Sequence, residues 1–317
     1  MKKNLIPIAL IILCTITAQA QSTDSIPPSH WKFAGFTAVA FNQISLSNWV
    51  KGGESSVAIN SMLNFGSKYS DQIIDWENAA EFGYGFIKTD QYDKIRKNDD
   101  KIDLNSKIGH KAFDGFLYTA ILNLKTQFAP GYNYPNDSVK VSKFFAPAYL
   151  IVSAGLDYKP SDKFTIYLSP ATGRFIFVMD EALADSGSYG VDPAVKDAQG
   201  NIITHGKKIR PEFGAYMTVK ADIAPIENVS LISKLDLFNN YTDKDPGNRR
   251  NIDVNWETNI VMKVNEYIAA NIYVNLIYDH NTAIPIYEKV NGVKNKIGEG
   301  PRTQLKEALG IGFSYKL

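Results

Sequence analysis

The sequence predicts an all-β fold: a transmembrane, antiparallel, up-and-down β-barrel of about twelve strands behind a cleaved signal peptide. Three observations carry that expectation. Between residues 228 and 280, three consecutive segments alternate apolar and polar side chains; in one, Ile252, Val254, Trp256, Thr258, Ile260, Met262 and Val264 oppose Asp253, Asn255, Glu257, Asn259 and Lys263. Side chains on a strand alternate faces with period two, whereas a helix would scatter these residues around its axis. Long connections (46–54, 88–101, 129–143, 179–208, 239–251, 280–303) alternate with short ones (SKYSDQ, AFDG, KPSDK, APIEN, VNEY), the asymmetry of a membrane barrel with loops outside and turns in the periplasm. The beginning, MKKNLIPIALIILCTITAQA, has the basic start, short apolar run and A-x-A site of a secretory signal.

The organisation follows in order: a signal peptide at 1–20, a short periplasmic linker at 21–30, and one barrel domain from 31 to 317. The first strand runs from about Trp31 to Ser45, the second from Ser55 to Lys68. The third sets Ile74, Trp76, Ala80, Phe82, Tyr84 and Phe86 against Asp75, Glu77 and Glu81. After the polar stretch 88–101, a fourth strand carries Ile102, Leu104 and Ile108 against Asp103, Asn105 and Lys107; the fifth sets Phe116, Tyr118, Leu122 and Leu124 against Thr119, Asn123 and Lys125. Strand six spans the region of Ala148 to Tyr158. Strand seven covers Phe164 to Val178, with Pro170 and Gly173 marking a bulge, since proline donates nothing to a ladder. Strand eight follows the insertion 179–208. The last strand alternates Leu309, Ile311, Phe313, Tyr315 and Leu317 with smaller or polar residues. It resembles the C-terminal signal read by the outer-membrane assembly machinery, with leucine in place of the usual terminal phenylalanine.

Composition narrows the function classes. Cys14, inside the leader, is the only cysteine, so the mature chain has no disulfide, thiol nucleophile or cysteine metal site. Removing Lys2 and Lys3 with the leader leaves 32 basic against 33 acidic side chains, a net charge of −1. That balance offers no footprint for nucleic acid. A mean hydropathy of −0.19 with 17 Tyr and 17 Phe fits apolar surface spread thinly over strands. The expected partners are outer-membrane lipid and lipopolysaccharide, the assembly machinery, and a small solute or an extracellular partner. The expected location is the outer membrane of a Gram-negative cell, with both termini periplasmic.

The candidate functional residues are charges on the inward faces: Glu77, Glu81, Asp236, Asp253, Glu257, Lys263 and Asp279. Asp236, Asp253, Glu257 and Asp279 fall in the extracellular half, whereas Lys234 and Lys263 fall lower. Clustered carboxylates suit a cation-selective constriction. Charges of both signs suit a lumen filled by ion pairs, because an unpaired buried charge is costly. His30, His110, His205 and His280 belong to no metal or nucleophile pattern, and Asp243 to Asn248 lacks the ligands of a calcium loop. No catalytic residue, metal or cofactor is expected. The leading expectation is a small-solute pore or transport accessory. The alternative is a non-conducting barrel whose long loops bind a partner or glycan, and an outer-membrane hydrolase comes third.

The segments LDLFNNY, NIDVNWE and NLIYD, with FNQISLSNWVKGGESS, LSPATGRFIFV and GSYGVDP, resemble a family of Bacteroidota proteins called domain of unknown function 3078. The resemblance implies a single domain in a Gram-negative envelope. It carries over no activity and no site residue.

Overall fold

The computed structural model describes residues 30–45, 55–90, 92–134, 136–265, 268–282, 284–290 and 293–316. The leader, the linker and the Gly52-Gly53 connection lie outside them. Twelve antiparallel strands close into a ring: β1 (Trp31–Ile44), β2 (Ser56–Ser70), β3 (Ile74–Thr89), β4 (Tyr92–Phe113), β5 (Phe116–Thr126), β6 (Ala148–Ser161), β7 (Phe164–Phe177), β8 (Ile209–Ile226), β9 (Val229–Asn240), β10 (Asp253–Lys263), β11 (Ile268–Tyr278) and β12 (Gln304–Lys316). Each strand pairs with its sequence neighbours, and β12 returns to β1. Closure joins the two ends of the sheet, and a closed sheet is one of the two ways a backbone can be satisfied in lipid.

The period-two pattern places the side chains as the sequence implies. Along β5, Leu117, Thr119, Ile121 and Asn123 are buried, while Tyr118, Ala120 and Leu122 between them are exposed. Outside, Trp76, Leu104, Tyr118, Leu122, Leu168, Phe213, Trp256 and Phe313 form an exposed apolar surface. Two of its indoles hydrogen-bond to neighbouring strands: Trp256 Nε1 donates to Ser233 Oγ at 2.9 Å and Trp76 Nε1 to Ser106 Oγ at 3.0 Å. An indole N–H so paired can face hydrocarbon without the cost of an orphaned donor.

Strand seven bulges where Pro170 places it. The pairing passes from Ala154↔Ala171 to Leu156↔Leu168 on one side and from Gly214↔Thr172 to Tyr216↔Ser169 on the other, so β7 holds one extra residue against both neighbours. Crowding there excludes side chains: a Cβ at Gly155 would lie 2.2 Å from the Leu168 carbonyl oxygen.

Residues 88–101 are not a loop. β3 and β4 continue as a paired hairpin through Ile87↔Arg96 to Thr89↔Tyr92, with a turn at its tip. Polar composition suggests a loop only where one face must be greasy. A ribbon that projects beyond the bilayer wets both faces and keeps its ladder. The connection 280–303 likewise contains a hairpin, Ile284–Val290 with Val293–Gly300. The insertion after β7 holds one helical turn, Glu181–Asp185, capped by Asp180. Leu183, Ala184 and Val191 of this insertion bury against Ala146, Ile176 and Val178, forming a small core at the long-loop end of β6 to β8.

Candidate functional site in the barrel lumen

Inward positions of β3, β4, β5 and β10 converge in the long-loop half of the lumen. Glu257 of β10 accepts hydrogen bonds from Lys101 Nζ of β4 at 3.2 Å and from Lys125 Nζ of β5 at 3.0 Å. β4 and β10 stand on opposite walls of the twelve-strand ring, so these bonds cross the lumen. Lys101 also binds Glu81 at 2.8 Å, and Lys125 lies 3.5 Å from Asp103. Asn255 Nδ2 donates to Glu257 at 3.0 Å and Tyr273 Oη at 3.3 Å. The carboxylate thus has four donors and the two lysines three carboxylates, an arrangement in which every charge keeps a counter-charge.

A second group of ion pairs lies nearer the mouth. Arg174 of β7 binds Glu212 of β8, and its Nη2 lies 2.5 Å from Asp253 of β10. Arg210 holds Glu212 at 2.9 Å, and the Arg174 guanidinium sits 4.1 Å from the centre of the Phe238 ring. Gly190 of the 178–208 insertion rests on Arg210, where a Cβ would meet the guanidinium at 1.7 Å. Lys306 of β12 reaches Asp99 of β4 at 2.5 Å, a second contact across the lumen. At the short-turn end, Lys159 binds Glu77 at 2.7 Å and Lys107 binds Asp157 at 2.7 Å.

Of the sequence candidates, Glu81 and Glu257 meet in the central group. Asp236 is beside it, accepting from Tyr216 Oη at 2.7 Å and pairing with Lys234 at 3.2 Å. Asp253 belongs to the mouth group and Glu77 to the short-turn end. Asp279 stands at the mouth, within electrostatic reach of Asp253 and Arg174, and its carboxylate accepts from Asn281 N and Thr282 Oγ1 in the turn after β11. Lys263 is exposed at the far end of β10. The structure adds Lys101, Asp99, Arg174 and Lys306. The parity of Asp103 extended backwards would have found Lys101 and Asp99; assigning 88–101 to a loop hid both.

The loops are tied to one another around the mouth. Lys140 pairs with Asp180, Lys244 with Asp192, and Asn281 Nδ2 donates to Asp243 at 2.8 Å. Within the insertion, His205 Nδ1 lies 3.0 Å from Asp185 and 3.9 Å from Glu181, two carboxylates four residues apart joined by a histidine twenty residues on, matching no motif. Asp185 raises the His205 pKa above its ordinary 6.5 through hydrogen bonding and charge. A raised histidine pKa stabilises the pairing fully below 6.5 and loses that contribution as pH climbs through the folded value. Following the His205 ring protons by NMR against pH should therefore give a midpoint above 6.5 that falls in Asp185→Asn, where only the charge of Glu181 still raises it. A wild-type midpoint at or below 6.5 would refute the clasp.

Residues 41–132 match the family model described as Protein of unknown function (DUF3078). That span runs from the end of β1 to the segment after β5. No curated relative matches the chain. Among solved structures, an outer membrane channel from Pseudomonas putida F1 is similar at 10% identity and a TM-score of 0.39, covering 94% of this chain and 100% of its own. The NanC porin aligns at 9% identity and 0.35, over 88% of this chain and 98% of its own. The translocator domain of the autotransporter NalP from Neisseria meningitidis aligns at 11% and 0.33, over 89% of this chain and 86% of its own. At these scores the likenesses add nothing to what the strand pairing already establishes about the fold.

Proposed function

We propose that the chain is an integral outer-membrane β-barrel that does not conduct ions at rest, and that it acts through its long loops and rim as a binding barrel. The contact of Glu257 with Lys101 and Lys125 across the lumen carries this reading. A permeating ion would have to break paired charges on both walls, and the insertion resting on Arg210 adds material above them. Membrane placement is supported by the closed ring, the apolar exterior and the paired indoles. With turns on the periplasmic side, both termini are periplasmic and the loops extracellular. No catalytic role is assigned: His205 bonds Asp185 and His280 contacts Tyr278, and neither pair includes a serine nucleophile.

Incorporated into planar bilayers, the wild-type protein should show no steady single-channel steps; regular steps would overturn the resting closure. Trp256 fluorescence should be quenched by lipids brominated along the acyl chain. An unquenched signal from a protein monodisperse without detergent would remove the membrane reading altogether.

A gated small-solute channel is the second reading. It is favoured by the wetness of part of the cluster: the Glu81 side chain is 45% exposed and that of Lys306 49%. Steps that appear in the wild type only with a solute present would select it.

A further inference from the structure

The ring is not sewn equally all the way round. Eleven of its strand pairs hold ten to fifteen register pairs each. The closing pair, β1 with β12, holds five among the described residues, Phe36↔Lys316 to Ala40↔Gly312. They take up the C-terminal end of β12 and the middle of β1. Continued toward the loops, the same register would join Phe41 to Ile311 and Ile44 to Ala308, yet none of these pairs forms. There β1 pairs only with β2 (Phe41↔Ile59 to Ile44↔Ser56), and the facing residues of β12 only with β11 (Tyr273↔Ala308 to Ala270↔Ile311).

From this we infer that the seam between Phe41–Ile44 and Ala308–Ile311 is a lateral portal that takes a single-chain amphiphile between the lumen and the surrounding lipid. The inference rests on the membrane placement proposed above. Unpaired peptide groups facing hydrocarbon cost several kcal/mol each, so the open lips are tenable only where lumen water reaches them. The two sides of each lip differ accordingly. Outward, Phe41, Leu309 and Ile311 are 55–70% exposed and suit an acyl chain. Inward, Asn42 and Ala308 are exposed to the lumen, and Gly310 is small enough that a Cβ there would already lie 3.5 Å from the Ala40 methyl group. Small lumen-facing residues leave width beside the seam. The buried Ile121, Tyr167, Tyr216 and Phe238 crowd the other wall, on β5 to β9, while the Glu257 contacts join β10 to β4 and β5 and Lys306 of β12 reaches away from the seam to Asp99. A molecule with a polar head and one chain fits this boundary, its head among the amides and water inside and its chain through the gap. It need not cross the Glu257 contacts, so the portal is compatible with a barrel closed to ions.

The test has two parts. In lipid nanodiscs, a diazirine-bearing hexadecanoic acid should label Phe41–Ile44 and Ala308–Ile311 well above the rest of the apolar exterior, several-fold by mass spectrometry. Labelling spread evenly round the girdle would overturn the portal while leaving the membrane placement intact, whereas failure to enter nanodiscs would remove both. In the second part, Gln43→Cys with Leu309→Cys should form a disulfide at least tenfold more slowly than Val39→Cys with Phe313→Cys, which sit in register. Equal rates would show a zipped seam and overturn the proposal. So would a dimer joined through β1 and β12, because the gap would then be an interface between two copies.

Discussion

Replacing Glu257 with glutamine is expected to open the resting barrel to ions and to lower its stability by about 2 kcal/mol, less than the 3–5 kcal/mol typical of breaking a fully buried pair. The discount reflects what survives. Lys101 keeps Glu81 at 2.8 Å, and Lys125 keeps Asp103 at 3.5 Å. The two lysines lose the carboxylate that ties the β4–β5 wall to β10, and their mutual repulsion then favours rotation toward water. In planar bilayers the variant should give steady steps with little preference between cations and anions, because Glu81, Asp103 and Asp236 then balance Lys101, Lys125 and Lys234. Lys101→Met combined with Glu257→Gln should shift the steps toward cations. A silent variant with an unchanged urea midpoint in detergent would reject the partition.

Arg174→Gln should cost more stability, about 3–5 kcal/mol, because the carboxylates it leaves are among the least solvated in the lumen. The Glu212 side chain is 3% exposed and that of Asp253 12%. Arg210 still reaches Glu212 at 2.9 Å, so Asp253 bears most of the loss. Arg174→Lys should recover only part of the stability. One ammonium cannot bridge carboxylates on β8 and β10 as a planar guanidinium does, nor stack as well on Phe238. The midpoint of urea unfolding, or the temperature of the folded-to-unfolded gel shift, reads both variants. A change below about 1 kcal/mol for Arg174→Gln would show that water already solvates the mouth group.

Both expectations rest on partners that lie far apart in the chain. Period two gives the face of each side chain, so Glu81, Asp253 and Glu257 could be assigned to the interior from their neighbours alone. Pro170 announced the bulge in β7, because a residue without an N–H must fall where the ladder can skip it. The loop alternation gave the up-and-down order. The reading failed at residues 88–101, where a ribbon outside the bilayer no longer needs an apolar face and looks like a loop. That one assignment removed Asp99 and Lys101 from the interior.

Local pattern therefore determined the strand class, the inward and outward faces, the strand number and the end at which the long connections gather. Each of these depends on alternation or spacing within a few residues, and the chain carries that information directly. Only the tertiary structure decided which charges meet, since Glu257 finds Lys101 through ring closure and the stagger of strands 156 positions apart. The same holds for the seam: β1 and β12 adjoin only because the sheet curls on itself, and how far they zip depends on the register at closure, which no single strand encodes.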